Sequence, residues 1–91
     1  MTIGEYRLGI NIHKLKISPE YFEEVFKRNK TFEIRKNDRE FKTGDKVVLC
    51  EYKNGKHTGR SVEREIGYIL ENFHALDKEY IIFSLLIIQI Y

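Results

Sequence analysis

The chain has 91 residues, enough for one domain with a small core and too few for two. Its 42% hydrophobic and 33% charged content exclude a disordered polymer, and one cysteine, Cys50, excludes an intramolecular disulfide or a cysteine-based zinc cluster. The net charge of +2 hides an asymmetry: residues 1–60 carry 14 Lys and Arg against 9 Asp and Glu, and residues 61–91 carry 2 against 5.

In chain order, Tyr6, Leu8 and Ile10 alternate and are compatible with a short strand in an N-terminal extension over residues 1–12. His13-Lys14-Leu15-Lys16-Ile17 alternates too, with His13, Leu15 and Ile17 on one face, and reads as the first strand of a domain over 13–91. Ser18-Pro19-Glu20 is a helix start: Ser18 is suited to cap free amides, and Pro19 loses no needed N–H at the first helical position. The helix is expected to reach about Arg28, with Tyr21, Phe22, Val25 and Phe26 as its buried stripe, Lys27 and Arg28 in its last turn, and Asn29 as its stop.

Thr31 to Arg35 reads as a strand with Phe32 and Ile34 on one face and Thr31, Glu33 and Arg35 on the other. A polar turn at Lys36-Asn37-Asp38-Arg39, an anchor at Phe41 and a turn at Thr43-Gly44-Asp45 lead into a strand over Lys46–Tyr52. There Cys50 is expected as a small buried hydrophobe. Asn54-Gly55 is a hairpin signal in a loop that extends as far as Gly59. Ser61–Leu70 forms a strand with Val62, Arg64, Ile66 and Tyr68 on one face, a turn follows over Glu71–Lys78, and Tyr80–Ile90 is Ile-rich and strand-like.

The local basic excess peaks where the chemistry is most distinctive. Between Lys27 and Lys42, seven cations (Lys27, Arg28, Lys30, Arg35, Lys36, Arg39, Lys42) stand against Glu33, Asp38 and Glu40. Such a patch suits an anionic partner, although a solvated surface has the same composition. Glu33 and Arg35 are two apart on one strand face, so the carboxylate can fix the guanidinium while leaving donors free for a phosphate or a base edge. An ordinary surface pair worth under about 1 kcal/mol would show the same spacing. His13, His57 and His74 lack a metal-ligand spacing, and no Gly-rich phosphate loop is present, so neither metal nor cofactor is expected. Tyr52, Tyr68 and Tyr80 are strand aromatics, expected chiefly in the core and otherwise suited to stacking on bases. Lys53, Lys56, His57 and Arg60 could form a second wall of a groove or an exposed hairpin tip.

Lys30-Thr31-Phe32-Glu33-Ile34-Arg35-Lys36-Asn37-Asp38-Arg39 resembles a small bacterial and phage domain of unknown function in the ASCH group of the PUA-like superfamily. The likeness runs from His13 through Pro19-Glu20-Tyr21-Phe22, Gly44-Asp45, Val48-Leu49, Tyr52 and Thr58-Gly59-Arg60 to Tyr80–Phe83, about four fifths of the chain. Lys30, Glu33 and Arg35 match the ASCH pattern Gly-x-Lys-x-x-Glu-x-Arg, with Arg28 where the Gly is expected.

The resemblance implies an α+β fold, a small PUA-like β-barrel of about five to six strands with one main helix. It also implies a cleft lined by Lys30, Glu33 and Arg35 and an RNA-binding role. With Thr31 of the same strand face and Lys36 and Arg39 of the basic turn, these are the expected ligand-binding residues, with RNA or a nucleotide as partner. A second expectation is an enzyme acting on RNA or a modified nucleoside, with Lys30 and Glu33 as its catalytic pair. Against amidohydrolase chemistry of the ASCH kind, Glu33 stands where those enzymes place a Thr. A third is a protein-interaction module using the apolar strand Ile81–Ile90 as a pairing edge. The apolar run Tyr80–Tyr91 has 12 residues against the about 20 of a membrane-spanning helix. No signal-type segment opens the chain, so a cytoplasmic location without a membrane partner is expected.

Overall fold

The computed structural model describes residues 11–88. Its elements are β1 (Ile12–Ile17), α1 (Pro19–Phe26), β2 (Phe32–Lys36), β3 (Lys46–Lys53), β4 (Lys56–Leu70) and β5 (Tyr80–Leu86). The five strands form one curled, half-barrel sheet in the order β1-β3-β4-β5-β2, with α1 packed over β3. β1 pairs with β3 in parallel, and the other pairs are antiparallel. The alternating strand residues Tyr6, Leu8 and Ile10 lie outside the described residues.

Inward-facing side chains at period two build the core: Leu15 and Ile17 of β1, Val47 and Leu49 of β3, Ile66 of β4, and Ile81, Phe83 and Leu85 of β5. Phe22 and Val25 of α1 and Phe41 of the β2–β3 connection close it. The expected helical stripe is narrower than its spacing suggested. Phe22 and Val25 are buried, whereas Tyr21 and Phe26 face solvent, because eight residues over one curved sheet can bury only one row.

The helix ends earlier than expected. Lys27 is its C-cap, and Arg28 takes a left-handed conformation at φ 65°. The Asn29 amide then donates to the Glu24 carbonyl at 2.8 Å and the Arg28 amide to that of Val25 at 3.0 Å, which is a Schellman stop. Arg64 of β4 adds to this end: its buried guanidinium donates to the Val25 carbonyl at 3.0 Å. Burial first, and the nearby Arg28 charge second, hold Arg64 below its ordinary arginine pKa. At the other end Ser18 occupies the N-cap position without capping, and its Oγ is buried with no hydrogen-bond partner among the described residues.

The Asn54-Gly55 signal is a two-residue turn with both residues at positive φ, pairing Lys53 with Lys56. The loop therefore does not reach Gly59, and β4 begins at Lys56, five residues before the expected Ser61. A register shift between Ile66 and Ile69 rotates Tyr68 out of the face shared by Arg64 and Ile66, leaving it 75% exposed instead of in the core. Cys50 is half-buried, not fully buried, as is Tyr52. β5 is an interior strand, paired on one side with β4 and on the other with β2. In place of the expected pairing edge over Ile81–Ile90, Ile81–Leu86 lies inside the sheet between β4 and β2; residues 89–91 lie outside the described residues.

Candidate nucleic-acid interface

The sheet's two edges, β1 and β2, face each other across the open side of the half-barrel, and the distinctive segment forms one of them. β2 is built inside out. Its apolar Phe32 and Ile34 are 44% and 49% exposed, while Glu33 is 4% exposed. Strand alternation separates these two sets but does not say which set turns inward.

A carboxylate so placed requires partners, and it has two cations. Lys30 Nζ lies 3.1 Å from Glu33 Oε2, and Arg35 Nε donates to Oε1 at 3.2 Å. Lys30 also donates to the Phe32 carbonyl at 2.7 Å. The Lys-x-x-Glu-x-Arg spacing thus places two cations on one carboxylate, with a net charge of +1.

The arginines then cross the slit. Successive peptide groups of a strand point to opposite sides, so the Lys14 and Lys16 carbonyls both face away from β3. Arg35 Nη2 donates to Lys16 O at 2.8 Å, and Arg39 Nη1 donates to Lys14 O at 3.0 Å. Where backbone pairing would close a barrel, the guanidinium groups of Arg35 on β2 and of Arg39 in the turn after it bond free carbonyls of β1.

Two hollows flank this clasp. One, of about 390 Å³, is lined by Lys16, Ser18, Tyr21, Glu33, Ile34, Arg35, Lys36 and Tyr80 among others. The second, of about 410 Å³, includes Lys14, Lys16, Arg35, Arg39, Cys50 and His57. Lys16 and Arg35 belong to both. Five cations (Lys14, Lys16, Arg35, Lys36, Arg39) therefore line the slit against one carboxylate, Glu33. Lys36 and Arg39 pair with exposed acids, Glu79 at 3.5 Å and Asp38 at 4.0 Å, and such exposed pairs are weak.

Of the expected site residues, Lys30, Glu33, Arg35, Lys36 and Arg39 are brought to the slit or its margin. Thr31 is exposed and outside the lining of these hollows, and its carbonyl serves the ladder by accepting from the Leu85 amide at 2.8 Å. The basic loop divides. His57 lines the second hollow, while Arg60 turns to α1, bonding Glu23 at 2.9 Å and covering the Phe22 ring at 4.6 Å. Tyr80 lines the first hollow, and Tyr52 carries Lys16 Nζ 4.4 Å above its ring. Lys14, Lys16, Ser18 and Tyr21 were missed by sequence reasoning. The outward parity of Lys14 and Lys16, opposite His13, Leu15 and Ile17, was the available signal.

His13 is not solitary. Its Nε2 lies 2.8 Å from Asp45 Oδ2 in the interior, and Asp45 also accepts from the Lys42 and Asn11 amides at 3.1 and 3.3 Å. This buried junction ties the start of β1 to the turn before β3.

Residues 12–85 match the family described as "Domain of unknown function (DUF3850)". The chain belongs to this family. A similar protein is the "Uncharacterized 12.9 kDa protein in GpA 3'region" of Escherichia phage P2, 42% identical over 55 residues that cover 60% of this chain and 50% of the phage protein. The chain thus spans about half the length of that relative. The DUF3850 match begins at the first residue of β1 and ends one residue before the end of β5, so both lips of the slit lie within it. Among the described residues of this DUF3850 domain, no helix is long and apolar enough to cross a membrane.

Proposed function

We propose that this domain is an ASCH-type module of the PUA-like superfamily that binds RNA or a nucleotide in the slit between β1 and β2. The observation that carries the reading is the convergence of Lys30 and Arg35 on the buried Glu33, beside a slit lined by four further cations, Lys14, Lys16, Lys36 and Arg39. Glu33 fixes Arg35, whose remaining N–H groups point to an anion or a base edge, and the other cations meet phosphates. Lys30 Nζ is committed to two acceptors, Phe32 O and Glu33. That arrangement favours a fixed ammonium that shapes charge over a general base, so a binding role is preferred to the enzymatic alternative.

The test is fluorescence anisotropy with labelled short RNA across a salt series. Affinity is expected to fall linearly on a log–log plot, and Arg39→Ala is expected to reduce the slope by about 0.7 as one phosphate contact is lost. Binding that ignores salt, or that is unchanged on replacing Arg39 and Lys36 together, would overturn the reading.

A further inference from the structure

β2 exposes a second surface that ion pairing leaves unexplained. Phe32 and Ile34 stand outward beside Tyr21 of α1, which is 52% exposed. These three, with Lys30 and Glu33, line a hollow of about 310 Å³ on the outer side of β2. Exposed apolar side chains grouped in this way make a candidate contact surface. Its rings are held rather than loose: Lys30 Nζ sits 5.0 Å from the Phe32 ring centre and 5.6 Å from that of Tyr21.

This outer hollow adjoins the slit. Tyr21, Glu33 and Ile34 line both it and the first slit hollow, and Lys16 and Arg35 join the first slit hollow to the second. The three hollows succeed one another along shared side chains, cationic at the Arg39 end and aromatic at the Phe32 end. Cations along a groove followed by exposed rings suit a phosphate backbone with unstacked bases. A duplex offers no free base faces to such rings.

We propose that the ligand is an unpaired, single-stranded RNA segment of roughly three nucleotides or more, one base of which stacks on Phe32 and Tyr21 outside the slit. This rests on the RNA-binding reading above and narrows it: a free mononucleotide would fill one hollow, and a duplex none.

The test is a calorimetric or anisotropy series with a mononucleotide, di- and trinucleotides, a single-stranded hexanucleotide, and a hairpin duplex of the same composition. Affinity is expected to rise through about three nucleotides and then level, with the duplex at least about tenfold weaker. Phe32→Ala is expected to weaken the hexanucleotide about tenfold, and Phe32→Tyr to restore the loss. Since Phe32 is exposed, the fold is expected to survive, and circular dichroism of each variant checks it. A mononucleotide or duplex that binds as tightly as the hexanucleotide overturns the proposal but leaves nucleotide binding standing. An unaltered hexanucleotide affinity in Phe32→Ala also overturns it. Absence of binding to every probe overturns the RNA-binding reading and this proposal together.

Discussion

Arg35 bridges the two edges of the sheet with one side chain: its Nη2 donates to the Lys16 carbonyl at 2.8 Å while its Nε donates to Glu33 at 3.2 Å. The planar guanidinium presents both donors at fixed angles, so holding the ion pair also sets the slit width. An ammonium has no such fork.

Arg35→Lys is therefore expected to lose one of the two bonds and to unfold about 1–2 kcal/mol more easily in urea, although the charge is kept. A denaturation midpoint within error of the parent would show that the bridge adds nothing to stability.

Glu33→Ala leaves Lys30 and Arg35 close together without their shared carboxylate. Their side chains are 17% and 25% exposed, so solvent offsets part of the penalty, and a loss of about 2–3 kcal/mol is expected. Removing Lys30 as well is expected to recover part of it. Added salt is expected to stabilise the single variant relative to the parent by screening the remaining cations, measured as a rise in Tm. If the double variant is the less stable of the two, the mutual repulsion is unimportant.

Arg28, at the C′ position after α1, is left-handed, with φ 65°. Arg28→Gly is expected to stabilise the protein by about 1 kcal/mol, by relieving the Cβ strain and removing a charge that disfavours ionised Arg64. Arg28→Ala separates the two terms, because it removes the charge and keeps the Cβ. Equal stabilities of the Gly and Ala variants would show that the backbone is unstrained there.

Gly67 lies where β4 meets β5, and a Cβ there would collide with Ser84 Oγ and approach Leu86 Cγ to 3.0 Å. Ser84 Oγ accepts from the Tyr68 amide at 2.9 Å, so it cannot move aside without losing that bond. Gly67→Ala is expected to cost about 1–3 kcal/mol, and Ser84→Gly in the same chain to recover part of the loss. Thermal unfolding of the two variants checks this.

Element order was legible because each boundary has a local chemical cause: Pro19 after Ser18, Asn54-Gly55, and the Ile-rich Tyr80 run. The Glu33–Arg35 pair was legible because two residues of the same parity share a strand face. What could not be read was which face of β2 turns inward, since Phe32 and Ile34 would ordinarily be assigned to the core. Their outward turn follows from the place of β2 at an edge, where Glu33 brings its own cations. The clasp on Lys14 and Lys16 carbonyls was hidden for a different reason: backbone oxygens carry no residue identity, and only the sheet order makes them the free ones. Tyr68 was misplaced because the shift between Ile66 and Ile69 breaks the period that its assignment assumed.

The sheet order also sets a timetable for synthesis. β2 follows α1 in sequence, yet its ladder partner is β5, so Phe32–Lys36 must wait unpaired while some fifty later residues leave the ribosome. β1 and β3 can join long before then, and Lys14 and Lys16 are in place early. The slit acquires its second lip only when Tyr80–Leu86 emerges, so a nascent chain stopped ahead of Tyr80 would carry every residue of the Lys30–Arg39 segment and still have no groove.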